Sequence, residues 1–197
     1  MATKSEQFYD RLAVLYPVID LFLKPQKHKF FSKINGCARG RLLEIGVGNG
    51  AHLPYYRTHD VVGIDTSARM LARARRHAQG NIQLLQMNGE NLLFPDKAFD
   101  YVVLSHVITV VDNPDNLFEE VYRVLKPNGQ ILILNHFTPR NWLKYLDKLF
   151  ERVSGILHFK SVFDISQLHA IKKFKLMEES DIGRFSYFKI MVYEKKL

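Results

Sequence analysis

The stretch Leu42-Leu43-Glu44-Ile45-Gly46-Val47-Gly48-Asn49-Gly50, with Gly63-Ile64-Asp65 following it, decides the fold. It reads as a buried strand, a glycine-rich turn, a helix, and a second strand that ends in an acid. Glycines let the backbone turn tightly and approach a ligand that side chains would hold off. Asp65 lies about 20 residues beyond the turn, where a carboxylate can accept hydrogen bonds from both hydroxyls of a ribose. The pattern is that of a nucleoside-cofactor site.

Which cofactor it takes turns on Glu44. Gly46, Gly48 and Ala51 satisfy the dinucleotide fingerprint G-x-G-x-x-G/A, so a nicotinamide enzyme is one reading, the weakest of those weighed. Glu44, two residues before the first glycine, makes the pattern E-x-G-x-G-x-G. A carboxylate there suits a ligand carrying an ammonium and a sulfonium. A pyrophosphate wants only donors and a helix N-terminus. The segment resembles motif I of the class I S-adenosylmethionine methyltransferases, in which the acid helps to position the methionine end of the cofactor.

The order of elements around this motif predicts an α/β chain. Strands are expected at Leu42–Ile45, Val61–Ile64, Ile82–Gln86, Phe99–Leu104 and Gln130–Leu134, alternating with helical segments. Phe99–Leu104 is a continuous apolar run, as for a central strand buried on both faces. Asn116–Leu125 reads as an amphipathic helix, stopped by the turn Lys126-Pro127-Asn128-Gly129. Lys175–Glu179 and Phe188–Glu194 are two further strands, paired antiparallel. The expectation is a Rossmann-like, doubly wound, mostly parallel sheet with a C-terminal antiparallel hairpin, an ending that resembles the class I methyltransferase fold and is unusual in dehydrogenases.

Length and composition fit one domain. The 197 residues are 47% hydrophobic and 24% charged, ordinary for a globular chain. Residues 1–40 read as an amphipathic helical lid or membrane segment, 41–137 as the cofactor-binding core, and 138–197 as an amphipathic helix plus the closing hairpin. Cys37 is the only cysteine, which excludes an internal disulfide and fits a reducing, cytoplasmic compartment. No apolar stretch is long enough to span a bilayer. Glu6, Asp10 and Arg11 interrupt the N-terminal apolar run, unlike a signal peptide.

Charge is unevenly placed. The net +8 divides into +4 over residues 1–40, −1 over 41–137 and +5 over 138–197. Phe8, Leu12, Leu15, Ile19 and Phe22 recur at helical spacing before a cluster of lysines, with Pro17 as a break. Trp142, Leu146, Leu149, Val153 and Ile156 form a second apolar stripe, bordered every four residues by Arg140, Lys144, Lys148 and Arg152. Such faces pack on their own domain or lie in the interface of an anionic bilayer. Nucleic acid is one candidate partner for such basic flanks and an anionic membrane surface another; the expectation is a peripheral membrane protein, monomeric and without a nucleic-acid partner.

Residues at the C-terminal ends of the strands supply the remaining candidates. Met87-Asn88-Gly89-Glu90-Asn91-Leu92-Leu93-Phe94-Pro95 follows the third strand and resembles the methyltransferase D-A-E-x-L-P-F, whose acid bonds the adenine amino group. Asn88 stands where that acid is expected; an amide can accept from the amine and donate to a ring nitrogen. Ser105-His106 and Asn135-His136 end the fourth and fifth strands. Tyr9 and Tyr16 are two helical turns apart, so both rings can face one pocket.

A narrower resemblance joins these segments. Tyr9-x-x-x-Ala13-x-x-Tyr16 resembles the Y-x-x-x-A-x-x-Y N-terminal helix of the bacterial phosphatidylethanolamine N-methyltransferases. Val107-Ile108-Thr109-Val110-Val111-Asp112-Asn113-Pro114 is similar to their V-V-T-x-V-x-N-P, and Arg123 through His136 follows their pattern to its Asn-His end. His106 departs from it, standing where a tyrosine is expected. The resemblance implies methyl transfer from S-adenosylmethionine to the amine of phosphatidylethanolamine, towards phosphatidylcholine, with no metal. It implies a cofactor-binding set of Tyr9, Glu44, Gly46, Gly48, Gly50, Asp65, Thr66, Met70, Asn88, Gly89, Glu90 and Ser105, with Tyr9 covering the cofactor. His136 is the candidate proton acceptor or phosphate contact, assisted by His106 or Tyr16. A methyltransferase for a soluble amine or a quinone carbon would share this core. So would a membrane-docking module that binds the cofactor without catalysis.

Overall fold

A computed structural model describes residues 28–136, 165–181 and 188–196, with only the backbone of His136 and Phe188. Tyr9, Tyr16 and both amphipathic stripes lie outside the described residues. Seven strands form one sheet: β1 (Arg41–Ile45), β2 (Asp60–Asp65), β3 (Ile82–Gln86), β4 (Phe99–Ser105), β5 (Leu125–His136), β6 (Phe174–Asp181) and β7 (Phe188–Lys195). Their order is β3-β2-β1-β4-β5-β7-β6. The first five run parallel, and β7 pairs antiparallel with both β5 and β6. The doubly wound sheet and its closing hairpin are therefore as the sequence predicts.

Alternation along the strands divides the core in two, because successive side chains point to opposite faces. Leu43, Ile45, Leu104, Ile131 and Ile133 face one layer, built on helix α3 (Pro114–Val124) through Leu117, Phe118, Val121 and Val124. Leu42, Val61, Val103, Leu132 and Leu134 face the other. There Phe30, Phe31 and Ile34 of α1 (residues 28–35) and Leu71 and Ala74 of α2 (Ala68–Ala74) cover the sheet. No described helix is long and apolar enough to cross a membrane.

Two local expectations are corrected. The helix expected after the glycine turn is a single 3-10 turn, Leu53–Tyr55. Pro54 has no N–H to bond back to Gly50 and pushes the residue before it away from the α region. Tyr56 then leaves the turn in an extended conformation. The second correction concerns Lys126–Gly129, which does not separate helix from strand: α3 ends at Val124 and β5 starts at Leu125. The pairing jumps from Phe99↔Leu125 to Tyr101↔Gln130, so these four residues bulge out opposite Asp100. Asn128 at φ +60° and the missing N–H of Pro127 suit a bulge. The Lys126 ammonium closes it by donating to Asp100 at 2.7 Å.

Helix α3 starts two residues earlier than its periodicity suggests. Asn113 caps it, its side-chain oxygen accepting from the Asn116 N–H at 3.1 Å, and Pro114 occupies the first turn. A cap and an N1 proline are the residues that such a start favours.

Candidate active site

The chain steps outward from β1 to β2 and β3, then returns to β4 on the other side of β1. In open α/β sheets, ligands bind at the carboxyl ends of the strands where the order reverses in this way. The glycine turn, Asp65, Asn88 and Ser105-His106 all follow strand ends at that rim.

Backbone and side-chain hydrogen bonds build the rim. The Ile64 carbonyl accepts from both Gly46 and Val47, at 2.8 and 3.0 Å, which folds the glycine turn back over β2. Gly46 and Gly48 take φ of +76° and +58°, and Gly50 one of +70°. A Cβ at Gly46 would lie 2.7 Å from Val107, so the segment after β4 closes against the turn. A Cβ at Gly48 would meet nothing within 4 Å. The bare backbone at Gly48 thus faces open space, the arrangement that admits a ligand against the main chain.

Asp65 crosses this space. Its carboxylate accepts from the Gly48 N–H at 2.8 Å with one oxygen and from the Ser67 N–H at 2.9 Å with the other. Burial raises its pKa from the ordinary 3.8, and the hydrogen bonds from Ser67 and Gly48 pull against that shift. A carboxylate has about four lone-pair sites, so acceptors remain for two hydroxyl donors. These acceptors fit the hydroxyls of the ribose of S-adenosylmethionine. Thr66 and Met70 lie beside it: the Thr66 carbonyl accepts from Gln86 at 2.9 Å, and Met70 is buried in α2, its N–H capped by Ser67.

Glu44 has no exposed surface and is held on both sides. The His52 ring nitrogen Nε2 lies 2.7 Å from one carboxylate oxygen, and the Tyr56 hydroxyl donates to the other at 3.0 Å. Sequence reasoning missed both residues. Their signal was a spacing of four, which puts them at the two ends of the Leu53–Tyr55 turn.

After β3, the Asn88 side chain accepts from the Glu90 N–H at 2.9 Å and shapes the turn. A Cβ at Gly89 would fall 2.5 Å from Ile45, so only glycine lets this loop lie on β1. Glu90 reaches across and accepts from the Asp112 N–H at 2.9 Å, tying the loop to the segment after β4. Half-buried Ser105 ends β4, and His106 takes φ +58°, rare outside glycine, while its N–H bonds Leu134 at 2.8 Å. His136 ends β5 opposite Phe188, one residue past Asn135, which is fully buried and whose side-chain amide has no hydrogen-bond partner among the described residues.

The comparisons agree with this geometry. Residues 43–133 match a family model described as a methyltransferase domain. The chain is 33% identical to phosphatidylethanolamine N-methyltransferase of Cereibacter sphaeroides, over 80% of this chain and 81% of that one. It is 29% identical to the ubiquinone/menaquinone biosynthesis C-methyltransferase of Pseudomonas putida strain W619, over 78% of this chain and 65% of the relative. Among solved structures, an S-adenosylmethionine-dependent methyltransferase of Thermotoga maritima superposes with a TM-score of 0.74 at 20% identity, covering 98% of this chain and all of that one. A [4+2]-cyclase superposes with a TM-score of 0.76 at 15% identity, over 100% of this chain and 98% of that one, so the fold alone does not name a reaction. With this kinship and the cofactor geometry together, the chain belongs to the class I S-adenosylmethionine-dependent methyltransferases and resembles the bacterial phosphatidylethanolamine N-methyltransferases among them.

Proposed function

We propose that this methyltransferase acts on the amine of phosphatidylethanolamine at a membrane surface. The observation that carries the reading is the 33% identity to a phosphatidylethanolamine N-methyltransferase over four fifths of both chains. The Val107–Pro114 and Asn135-His136 segments, which resemble that family's V-V-T-x-V-x-N-P and Asn-His patterns, support it.

Bound S-adenosylmethionine supplies a methyl group already activated by its sulfonium, and the chain contributes alignment and proximity. Asp65 would hold the ribose, Asn88 and Gly89 the adenine edge, and Glu44 the ammonium of the methionine end. The acceptor amine would attack the methyl carbon as its bond to sulfur breaks, S-adenosylhomocysteine leaving, and would give up a proton. An amine with an ordinary pKa of about 10 must be deprotonated to attack, so a base at the rim is required. We assign that role to His136, with His106 or Tyr16 assisting. The basic flanks, Lys144 and Lys148 among them, hold the rim on an anionic lipid surface from the cytoplasmic side.

A quinone carbon is the second reading, favoured by the 29% identity to the C-methyltransferase. Incubation with methyl-labelled S-adenosylmethionine and vesicles of phosphatidylethanolamine, followed by lipid separation, tests the two. Label in N-methylated phospholipid is the expected result. Label only in added quinone would replace it.

A further inference from the structure

The turn that replaces the expected helix has a use. Leu53–Tyr55 makes one tight turn and sets His52 at its start and Tyr56 at its end. Both side chains then converge on Glu44, at 2.7 and 3.0 Å. Phe31 of α1 locks the pair from outside: its ring stacks on His52 at 5.4 Å and meets Tyr56 edge-on at 4.9 Å. One turn thus supplies both partners of the carboxylate, and α1 supplies the ring that backs them.

A buried carboxylate with two partners is costly unless its charge is used or fully paired. Tyr56 cannot neutralise it. Burial and then the Glu44 charge raise the Tyr56 pKa well above its ordinary 10, so the hydroxyl keeps its proton and serves as a fixed donor. His52 is the outermost member, its side chain 11% exposed against none for Glu44. Two lone-pair sites on the carboxylate remain for a third donor. The cluster sits at the end of β1, directly before the glycine turn.

We infer that Glu44, His52 and Tyr56 act as one unit that receives the amino-acid end of the cofactor, His52 and Tyr56 being positioning residues that aim the carboxylate. This rests on the assignment of Glu44 to the methionine ammonium. The stacked contact of Phe31 with His52 and its edge-on contact with Tyr56 make α1 the wall against which the unit is held.

Two ligands separate a positioning role from a structural one. S-adenosylhomocysteine carries the amino-acid end, whereas 5′-methylthioadenosine has the same adenosine and sulfur without it. Calorimetric titration of Glu44→Gln, His52→Gln and Tyr56→Phe should show S-adenosylhomocysteine weakened about tenfold. Affinity for 5′-methylthioadenosine should stay at the wild-type value. The His52→Gln/Glu44→Gln double variant should lose little more than either single one, as members of one unit do. Equal loss of both ligands would reduce the cluster to a fold element and overturn the inference. Loss in Glu44→Gln with neither partner variant affected would overturn the positioning role and leave Glu44 assigned. Unchanged S-adenosylhomocysteine binding in Glu44→Gln would remove the assignment itself. Thermal unfolding of each variant identifies any that fails to fold, and Tyr56→Phe, the mildest change, keeps the test decisive if another does.

Discussion

The Asp65 carboxylate accepts the Gly48 backbone N–H at 2.8 Å, which joins the end of β2 to the glycine turn after β1. One residue thus shapes the turn and presents acceptors to whatever the turn holds. The two roles cannot be separated by mutation, and the cofactor predictions follow from that.

Replacing Asp65 by Ala removes acceptors for two ribose hydroxyls and the anchor of the Gly48 N–H. Hydrogen bonds to a charged group contribute about 1.5–3 kcal/mol each. Calorimetry should show S-adenosylhomocysteine binding weakened at least about tenfold. Wild-type protein should not bind NAD, and tight NAD binding would return the chain to the dehydrogenase reading.

Cofactor affinity should also depend on pH through Asp65. Its folded-state pKa is raised above 3.8, chiefly by burial. On acidification the carboxylate therefore protonates earlier than an ordinary aspartate, and the acceptors for the ribose are lost. S-adenosylhomocysteine titrated at a series of acidic pH values should weaken with a midpoint above 3.8. A midpoint at or below that value would place Asp65 in a more solvated setting.

Acid stability should report on Glu120. The Arg123 guanidinium bonds both Glu120 oxygens, at 2.9 and 2.8 Å, and also reaches Asp96 and the Leu92 and Phe94 carbonyls. The hydrogen bond from Arg123 lowers the Glu120 pKa below its ordinary 4.5. A depressed carboxylate stabilises the fold above its unfolded pKa and loses that contribution as pH falls through the folded one. Glu120→Gln should therefore be less stable than wild type at pH 7, and the gap should narrow below about pH 4.3. Urea unfolding at pH 7 and pH 3 measures both; a pH-independent gap would contradict the linkage.

His136→Ala should separate acceptor chemistry from cofactor binding. The residue ends β5 opposite Phe188, away from β2 and β3, whose ends carry Asp65 and lead to Asn88. S-adenosylhomocysteine affinity should stay close to wild type while methyl transfer to phosphatidylethanolamine falls by about 10²–10⁴, the usual worth of a general base. Unchanged turnover would shift the role to His106.

Reversing Lys144 and Lys148 to Glu should weaken binding to anionic vesicles. Each lysine near such a surface contributes about 1 kcal/mol, and two replaced by repulsive charges should cost several. Co-sedimentation at low salt should show the loss, and high salt should shrink the difference by screening. Equal sedimentation of both proteins would assign that stripe to packing on its own domain.

The sequence by itself determined the glycine turn, the doubly wound sheet and the closing hairpin. These depend on short-range rules: glycine for positive φ, alternation for strands, apolar runs for buried parallel strands. Periodicity alone puts the start of α3 at Asn116, two residues late, because the cap at Asn113 and Pro114 in the first turn lie outside the apolar repeat. Only the tertiary structure decided how the site's side chains are employed. Glu44 is clasped by His52 and Tyr56 because a proline-limited turn, not a helix, follows the glycines. Glu90, expected at the cofactor, accepts from Asp112, a residue brought near by the fold and distant in sequence. Lys126–Gly129 carries turn residues, yet sheet register turns it into a bulge opposite Asp100. Each outcome is set by which chain segments the sheet brings together, and local propensity carries no record of that distance.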